Sequence, residues 1–197
     1  MKMKNRRLQG LLIIVGIFWV GVIAKGFAIL EQEEFTPVPT ASVVAGFPKD
    51  STIPLASGKP TLILFLHPHC PCSSATLHEL DRVLAETQSK LSTIIVFTIP
   101  KGEPDGWEQG GLWKSAAAMP GVIVLRDQDG VEARRFGVNG SGHTLLYGAT
   151  GRLLFSGGIT PSRGHEGDNP GSTAIVSFVL SGNALVSKTP VFGCSLL

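Results

Sequence analysis

The chain has 197 residues, of which 43% are hydrophobic and 16% are charged, so it is long enough and apolar enough to fold around one sizeable core. The formal net charge is +2, and much of the basic excess lies within the first seven residues. The remainder is close to neutral and has no basic stripe with interleaved aromatic residues, which argues against nucleic-acid binding. Three cysteines are too few for a disulfide framework and suggest a local site instead.

Residues 8–30 form an almost continuous apolar segment directly after the basic start. About 20 apolar residues suffice to cross a bilayer, and Lys25 lies near the outer end, where its ammonium group can reach the interface. The basic residues before the segment and the glutamates after it predict a cytoplasmic N-terminus and an extracytoplasmic, periplasmic remainder. The alternative is a signal peptide cleaved after Ala24 or Ala28. The length of the apolar segment and the position of Lys25 favour an uncleaved anchor over residues 1–30.

Residues 31–59 are predicted to be a linker, because four prolines and scattered Thr and Ser favour an extended or irregular chain. The predicted folded domain covers residues 60–197.

This domain alternates between apolar runs of strand length and segments with helical spacing. Strand patterns occur at 61–66, 93–99, 122–125, 144–147 and 152–156, and helix patterns at 73–90, 107–118, 131–137 and 172–180. The last two strands flank a short loop and predict a β-hairpin. The resulting order, β-α-β-α-β-(α)-β-β-α, resembles the thioredoxin-like pattern. It predicts an α/β fold with a central mixed sheet flanked by helices and right-handed crossovers.

Cys70 and Cys72 lie between the first strand and the first helix of this domain. At such a junction the helix N-terminus faces the functional crevice of the sheet, and its N–H groups and dipole stabilise a thiolate. His67 and His69, when charged, would lower the thiol pKa further. We therefore predict that Cys70 is the nucleophile and the more exposed thiol, and that Cys72 resolves the mixed disulfide.

The segment FLHPHCPCSSATLHEL at 65–80 resembles the active-site region of thioredoxin-like proteins, and more closely that of RedB-type membrane-anchored thioredoxin-like proteins. The segments RLLFSGGITPSRGHEGDN and TPVFGCSL, at 152–169 and 189–196, are similar to the same group. The resemblance covers roughly 45–197. It implies the fold and the compartment rather than a particular substrate.

Two departures from ordinary thioredoxins bear on the mechanism. The cysteine spacing is Cys-x-Cys, and Ser73 stands where the resolving cysteine of a thioredoxin would fall. Residues 140–144 stand in place of the cis-proline segment and contain no proline, which argues against broad reduction of protein disulfides. A Cys70–Cys72 disulfide would close a small strained ring and so be readily reduced. Cys194 is either a partner of one of these thiols or a lone buried thiol.

A Gly-rich loop with charges of both signs, residues 157–171, connects the last strand to the last helix. In a thioredoxin-like arrangement it lies beside the cysteine loop, so its charged side chains are expected to line the site; a merely solvated loop is the alternative. The predicted catalytic residues are Cys70, Cys72, His69, His165 and Glu166. The predicted substrate contacts are Gly142, His143, Arg163 and Asp168.

Two functions of different classes fit these residues. The first is a membrane-anchored thiol–disulfide oxidoreductase that acts on protein or small-molecule thiols and disulfides without a cofactor. The second is binding or delivery of Cu(I), because imidazole and thiolate ligands suit this soft ion. Its predicted ligands are His67, His69, Cys70 and Cys72. The redox function is preferred, since the short Cys-x-Cys spacing fits a single metal site less well.

Overall fold

The computed structural model describes residues 2–39, 42–88 and 90–196, and the chain divides into two units, Met1–Thr36 and Pro37–Leu197. The first unit is one helix, α1 (Lys2–Phe35). Its segment Gly10–Phe35 is long and apolar enough to cross a membrane, and none of its most apolar part is buried within the protein. A signal sequence near the N-terminus would have the same length and composition.

The described residues of the second unit form five strands and four helices. In chain order they are β1 (Thr61–Leu66), α2 (Ser73–Thr87), β2 (Ser92–Ile99), α3 (Gly111–Ala118), β3 (Val122–Gln128), α4 (Val131–Phe136), β4 (His143–Tyr147), β5 (Leu153–Gly157) and α5 (Pro170–Ser181). The strands lie in the order β3-β2-β1-β4-β5. β1, β2 and β3 are parallel, and β4 and β5 are antiparallel to their neighbours. This topology confirms the predicted mixed sheet of the thioredoxin-like fold.

Alternation along β1 builds two cores, one on each face of the sheet. Leu62, Leu64 and Leu66 pack on the face that holds Leu80 of α2 and Ile175 of α5. Their neighbours in sequence, such as Ile63 and Phe65, pack on the opposite face with Phe136 of α4. The central strand is therefore buried on both sides, as its unbroken apolar sequence predicts.

The segment predicted as a linker, an extended tether or an irregular wrap over residues 31–59, is helical at its start and irregular in the described residues beyond Phe35. α1 continues to Phe35, and the chain from Pro37 onward belongs to the compact second unit. The amide of Phe47 donates to the carbonyl oxygen of Gly151 (2.8 Å), and Ile53 is buried. The physical reason is that apolar side chains in this segment, including Phe47 and Ile53, cover the second core face.

Several element boundaries also differ from the sequence patterns. α2 ends at Thr87 because Gln88 adopts a left-handed conformation with φ 49°. α5 starts at Pro170 instead of residue 172, because the Asn169 side chain caps it by accepting a hydrogen bond from the amide of Ser172 (2.8 Å).

Candidate functional site

The Cys70–Cys72 loop forms a tight turn between β1 and α2. The amide of Cys70 donates to the carbonyl oxygen of His67 (3.1 Å), and the amide of Ser73 donates to that of Cys70 (3.1 Å). Cys72 occupies the N-cap position of α2. Both thiols therefore lie at the helix N-terminus, where unpaired N–H groups and the helix dipole favour a negative charge.

Cys194, from the C-terminal segment, completes a cluster of three thiols. The Sγ atoms of Cys70, Cys72 and Cys194 all lie within 4.8 Å of one another. All three cysteines are free thiols in the structure. Of the two possibilities that the sequence leaves for Cys194, the structure therefore places it beside the other two cysteines.

Cys70 is the thiol of the cluster whose pKa is lowered. Burial by itself raises the pKa of Cys70, but hydrogen bonds from the Cys194 thiol and amide, the Ser73 hydroxyl and the Cys72 amide outweigh it and hold the pKa below its ordinary value. The residue is only 1% exposed, whereas Cys72 is half-buried. The expectation that Cys70 is the more exposed thiol is therefore wrong, because the C-terminal segment that bears Cys194 lies against it.

The other two thiols have raised pKa values. Burial and the adjacent Cys70 thiolate raise the pKa of Cys72, and the Arg163 guanidinium partly opposes this shift. Burial and the interactions with Cys70 raise the pKa of Cys194 to about 12. Cys70 is therefore the thiol of the cluster that loses its proton most readily, and the other two thiols lie close enough to donate hydrogen bonds to it or to replace it in exchange.

His67 and His69 face Trp107 and do not join the cysteine cluster. The His69 ring lies 4.3 Å from the Trp107 ring, centre to centre, and its Nε2 donates to the Trp107 carbonyl oxygen (3.0 Å). Nδ1 of His67 accepts a hydrogen bond from the His69 amide (3.2 Å), so this nitrogen carries no proton. Burial and the neighbouring His69 lower the pKa of His67. Among the described residues, the group with metal-ligand spacing contains the three cysteines and neither histidine.

The segment before β4 meets the cluster through Ser141. The hydroxyl oxygen of Ser141 accepts a hydrogen bond from the His67 amide and lies 2.8 Å from the Ser73 hydroxyl. Gly142 has φ +89° and donates its amide hydrogen to Phe65, so it fixes the turn into the strand. No cis peptide bond occurs among the described residues, including this segment.

His143, predicted to contact substrate, is instead a buried residue of β4. Its side chain is enclosed at 2% exposure, and its Nε2 lies 2.9 Å from the Ser156 hydroxyl of β5. Burial and the positive charge of Lys188 lower the pKa of His143 to about 4. The ring is therefore neutral at physiological pH and ties two strands together.

The loop between β5 and α5 divides into two parts. Its first part reaches the cluster: the Arg163 guanidinium lowers the pKa of Cys72 against the effect of burial, and a Cβ at Gly164 would lie 3.9 Å from the Cys72 Sγ, in ordinary contact. The Arg163 guanidinium also donates to the carbonyl oxygen of Gly193, next to Cys194. Arg163 is thus the predicted residue of this loop that the structure brings to the thiols.

The second part of the loop runs along α2, away from its N-terminus. Glu166 pairs with His78 (2.6 Å), and the His165 side chain is exposed, with Nδ1 3.0 Å from the Arg163 carbonyl oxygen. The reason is buried Glu79 of α2, whose carboxylate accepts from the amide of Gly167 (2.7 Å). Asp168 is exposed beside this contact, in a cleft of about 270 Å³.

Ser141, Glu79 and Trp107 are the site residues that sequence reasoning missed. Each positions another group through a hydrogen bond or a ring contact, and no sequence motif marks any of the three. Helical spacing places Glu79 outside the apolar face of α2, so its burial at 2% exposure has no signal in the sequence.

Comparison with models of known protein families and with curated proteins gives no match. Among solved structures, the chain is similar to an uncharacterised conserved protein from Geobacillus kaustophilus, with 19% identity over 82% of this chain and 92% of that one (TM-score 0.60). It is similarly related to a hypothetical protein from Sinorhizobium meliloti, with 17% identity over 82% and 94% of the two chains (TM-score 0.60). At these identities the likeness concerns the fold alone.

A weaker likeness links the chain to an exposed lipoprotein thioredoxin from Streptococcus pneumoniae, with 20% identity over 62% of this chain and 84% of that one (TM-score 0.46).

Proposed function

We propose that this protein is a membrane-anchored, extracytoplasmic thiol–disulfide oxidoreductase with its centre at Cys70 and Cys72. The observation that supports it most is the cluster itself: the Sγ atoms of three cysteines lie within 4.8 Å of one another, and two of these cysteines stand at the N-terminus of a helix. A thiolate is the attacking species in disulfide exchange, and a second thiol close by is what resolves the mixed disulfide. The resemblance of three segments to RedB-type proteins supports placing the chain in that group.

The residues around the thiols suggest how charge is managed during exchange. Arg163 is the positive charge beside Cys72, so it favours the thiolate that leaves when a Cys70–Cys72 disulfide is reduced. His165 and Glu166, predicted to move protons, lie along the part of the loop that follows α2. We therefore assign charge stabilisation to Arg163 in place of proton transfer by these two residues.

The test is disulfide exchange with oxidised glutathione, followed by mass spectrometry of acid-quenched protein. We expect the detergent-solubilised chain to become oxidised. Turnover, the rate at which the chain exchanges with oxidised glutathione, should fall by at least about a hundredfold in Cys70→Ser and Cys72→Ser, because each removes a thiol of the reacting pair. His165→Ala is the matched control and should retain turnover within about twofold, since surface changes away from the reacting groups cost little. Undiminished turnover in Cys70→Ser would refute the proposal.

A second candidate, Cu(I) binding as cargo, is favoured by one observation: three sulfur ligands converge while the histidines do not. Three thiolates suit Cu(I), whereas zinc prefers four ligands in a tetrahedral arrangement. The ligand set that fits is therefore Cys70, Cys72 and Cys194, in place of the set with His67 and His69 predicted from the sequence.

Anaerobic Cu(I) titration against a competing chelator tests this candidate. If the site binds Cu(I), we expect one ion per chain and a loss of affinity of at least about tenfold in Cys194→Ser, because one of three sulfur ligands is gone. His69→Ala should leave the affinity unchanged. Equal losses in the two variants would instead support the histidine-containing set, and no competition with the chelator would exclude the candidate.

A further inference from the structure

The C-terminal segment 191–196 is fixed in place as part of the fold. The amide of Leu196 donates to the carbonyl oxygen of Asn139 (2.9 Å), and the amide of Ser141 donates to that of Cys194 (2.8 Å). Ser195 forms an antiparallel bridge with Gly140 between these bonds. The Leu196 side chain is fully buried in the core behind β1. Cys194 is therefore held by backbone hydrogen bonds on one side and by a buried leucine on the other.

Gly193 shows how close this approach is. A side chain at Gly193 would place its Cβ 1.9 Å from the carbonyl oxygen of Ser141, a distance that no side chain can adopt. The Arg163 guanidinium binds the carbonyl oxygen of the same glycine and also acts on Cys72. The absence of a side chain at Gly193 thus lets the segment bring Cys194 up to the other two thiols.

The same segment controls which thiol a substrate reaches. Cys70 is 1% exposed with the segment in place, whereas Cys72 is half-buried beside Arg163. Residues 139–141, which lead into the segment 140–144 that stands in place of the cis-proline segment, already bond the chain's own residues 194–196. The C-terminal segment therefore occupies the position where an extended polypeptide would pair, and Cys72 is the thiol open to a small disulfide.

We propose that Cys194 is the final resolving thiol of a three-cysteine relay, so that the stable oxidised form contains a Cys70–Cys194 disulfide and a free Cys72. This inference rests on the proposed oxidoreductase function and extends it to the substrate class, small-molecule disulfides or dithiols.

The relay balances as three exchanges. The sulfur of Cys72, the accessible thiol, attacks a substrate disulfide RS–SR as its proton passes to the leaving sulfur, which forms a mixed disulfide and releases RSH. Cys70 then attacks the Cys72 sulfur with loss of its own proton, forms the Cys70–Cys72 disulfide and releases the second RSH. Cys194 attacks the Cys70 sulfur, forms the Cys70–Cys194 disulfide and releases the Cys72 thiolate. Two electrons and two protons pass from the protein to RS–SR, which becomes two RSH, and the third step is an isomerisation with no net redox change.

Exposure and distance give these steps their order. Cys72 is the half-buried thiol and is therefore reached first by a substrate, whereas Cys70 is only 1% exposed. The Sγ atom of Cys194 lies within 4.8 Å of those of both other cysteines, so Cys194 can attack from within the cluster once Cys70 has been oxidised. Relief of the strained Cys-x-Cys ring drives the isomerisation forward.

The test is disulfide mapping of the full chain in detergent, equilibrated with glutathione redox buffers, acid-quenched, alkylated and digested. We expect the Cys70–Cys194 peptide pair to dominate in the oxidised protein, with Cys72 alkylated. In Cys194→Ser the disulfide should be Cys70–Cys72, and the equilibrium constant for its reduction should rise by at least about tenfold, which for two electrons is about 30 mV.

A second variant keeps all three thiols and moves one of them. Gly193→Ala should displace Cys194 and so behave like Cys194→Ser, whereas Gly110→Ala, where a Cβ meets nothing within 4 Å, should behave like the wild type. A wild-type protein that holds Cys70–Cys72 as its stable disulfide, with the same equilibrium constant in Cys194→Ser, would overturn the relay and leave the proposed function intact. Failure of the wild type to exchange with glutathione at all would overturn both.

Discussion

Ser141 shows how a single hydroxyl can organise the thiol site. Its oxygen accepts from the His67 amide at the end of β1 and meets the Ser73 hydroxyl at the start of α2, and Ser73 in turn bonds Cys70. Its own amide donates to the carbonyl oxygen of Cys194. Because the residue is buried, each of these bonds forms in a weakly polar setting where an unmade partner is costly. Ser141 thereby sets the positions of two of the three cysteines.

His143, two residues later, makes stability depend on pH. Its pKa is about 4 in the folded protein and about 6.5 in the unfolded chain, so between these values the unfolded state binds a proton that the native state does not. The free energy of unfolding therefore falls as the pH falls. We expect a loss of about 2 to 3 kcal/mol from this residue between pH 7 and pH 4.5.

Urea denaturation of wild type and His143→Gln at several pH values measures this contribution. Glutamine keeps a partner for the Ser156 hydroxyl but does not titrate, so the difference between the two proteins isolates the histidine. If the free energies of unfolding of the two proteins change in parallel down to pH 4.5, protonation of His143 does not destabilise the fold and the prediction is wrong.

At the scale of elements, the sequence patterns locate strands and helices well where burial is two-sided. Prediction and structure agree on 61–66 for β1, because an apolar run enclosed on both faces leaves no ambiguity. The prediction is poorer for β3, placed at 122–125, since the strand continues through the polar residues Arg126–Gln128. Backbone pairing with β2 extends it there, and a hydrophobicity pattern does not record backbone pairing.

The site was predictable only as far as its local motif. Cys70 and Cys72 at the start of a helix follow from adjacent sequence, whereas the approach of Cys194 depends on a bridge between residues 140 and 195. Likewise, only the first part of the loop 157–171 reaches the thiols. The rest follows α2, because the Gly167 amide binds Glu79, a residue on another element. Contacts set by distant backbone pairing have no signature in local spacing, which is why the sequence predicts catalytic roles for His165 and Glu166 and only a substrate contact for Arg163.

At the scale of the whole molecule, three stretches of chain that are far apart in sequence meet at the thiols: the β1–α2 junction, the β5–α5 loop and the C-terminal segment. Helix α1 belongs to a separate unit, and most of its large apolar side chains from Leu11 to Phe35 are exposed. Its composition is that of a membrane span, and the basic residues that precede it predict its orientation.

Reporter fusions after Thr36 test that orientation in a bacterial host. Alkaline phosphatase, which is active only after export, should be active at this position, and a cytoplasmic fluorescent reporter should be dark. Replacing the four basic residues within the first seven by glutamate should reduce or reverse the difference. If the fusion to the original chain has no phosphatase activity and the fusion to the charge-reversed chain has it, the assigned orientation is wrong.

Retention of the full chain in membranes after carbonate washing separates an anchor from a cleaved signal peptide. The anchored chain stays in the pellet with its N-terminus intact, whereas a cleaved chain appears in the wash with a new N-terminus near residue 25 or 29.

The edge-to-face contact between His69 and Trp107 has an optical consequence. The fluorescence of an indole depends on the groups in van der Waals contact with its ring. With ring centres 4.3 Å apart, Trp107 emission therefore responds to the position of His69, one residue before Cys70. The two other tryptophans lie on α1 and α3, and Trp113 packs against Phe97. The cysteine loop therefore contains its own spectroscopic reporter, by which its rearrangement during a redox cycle can be followed in real time without a label.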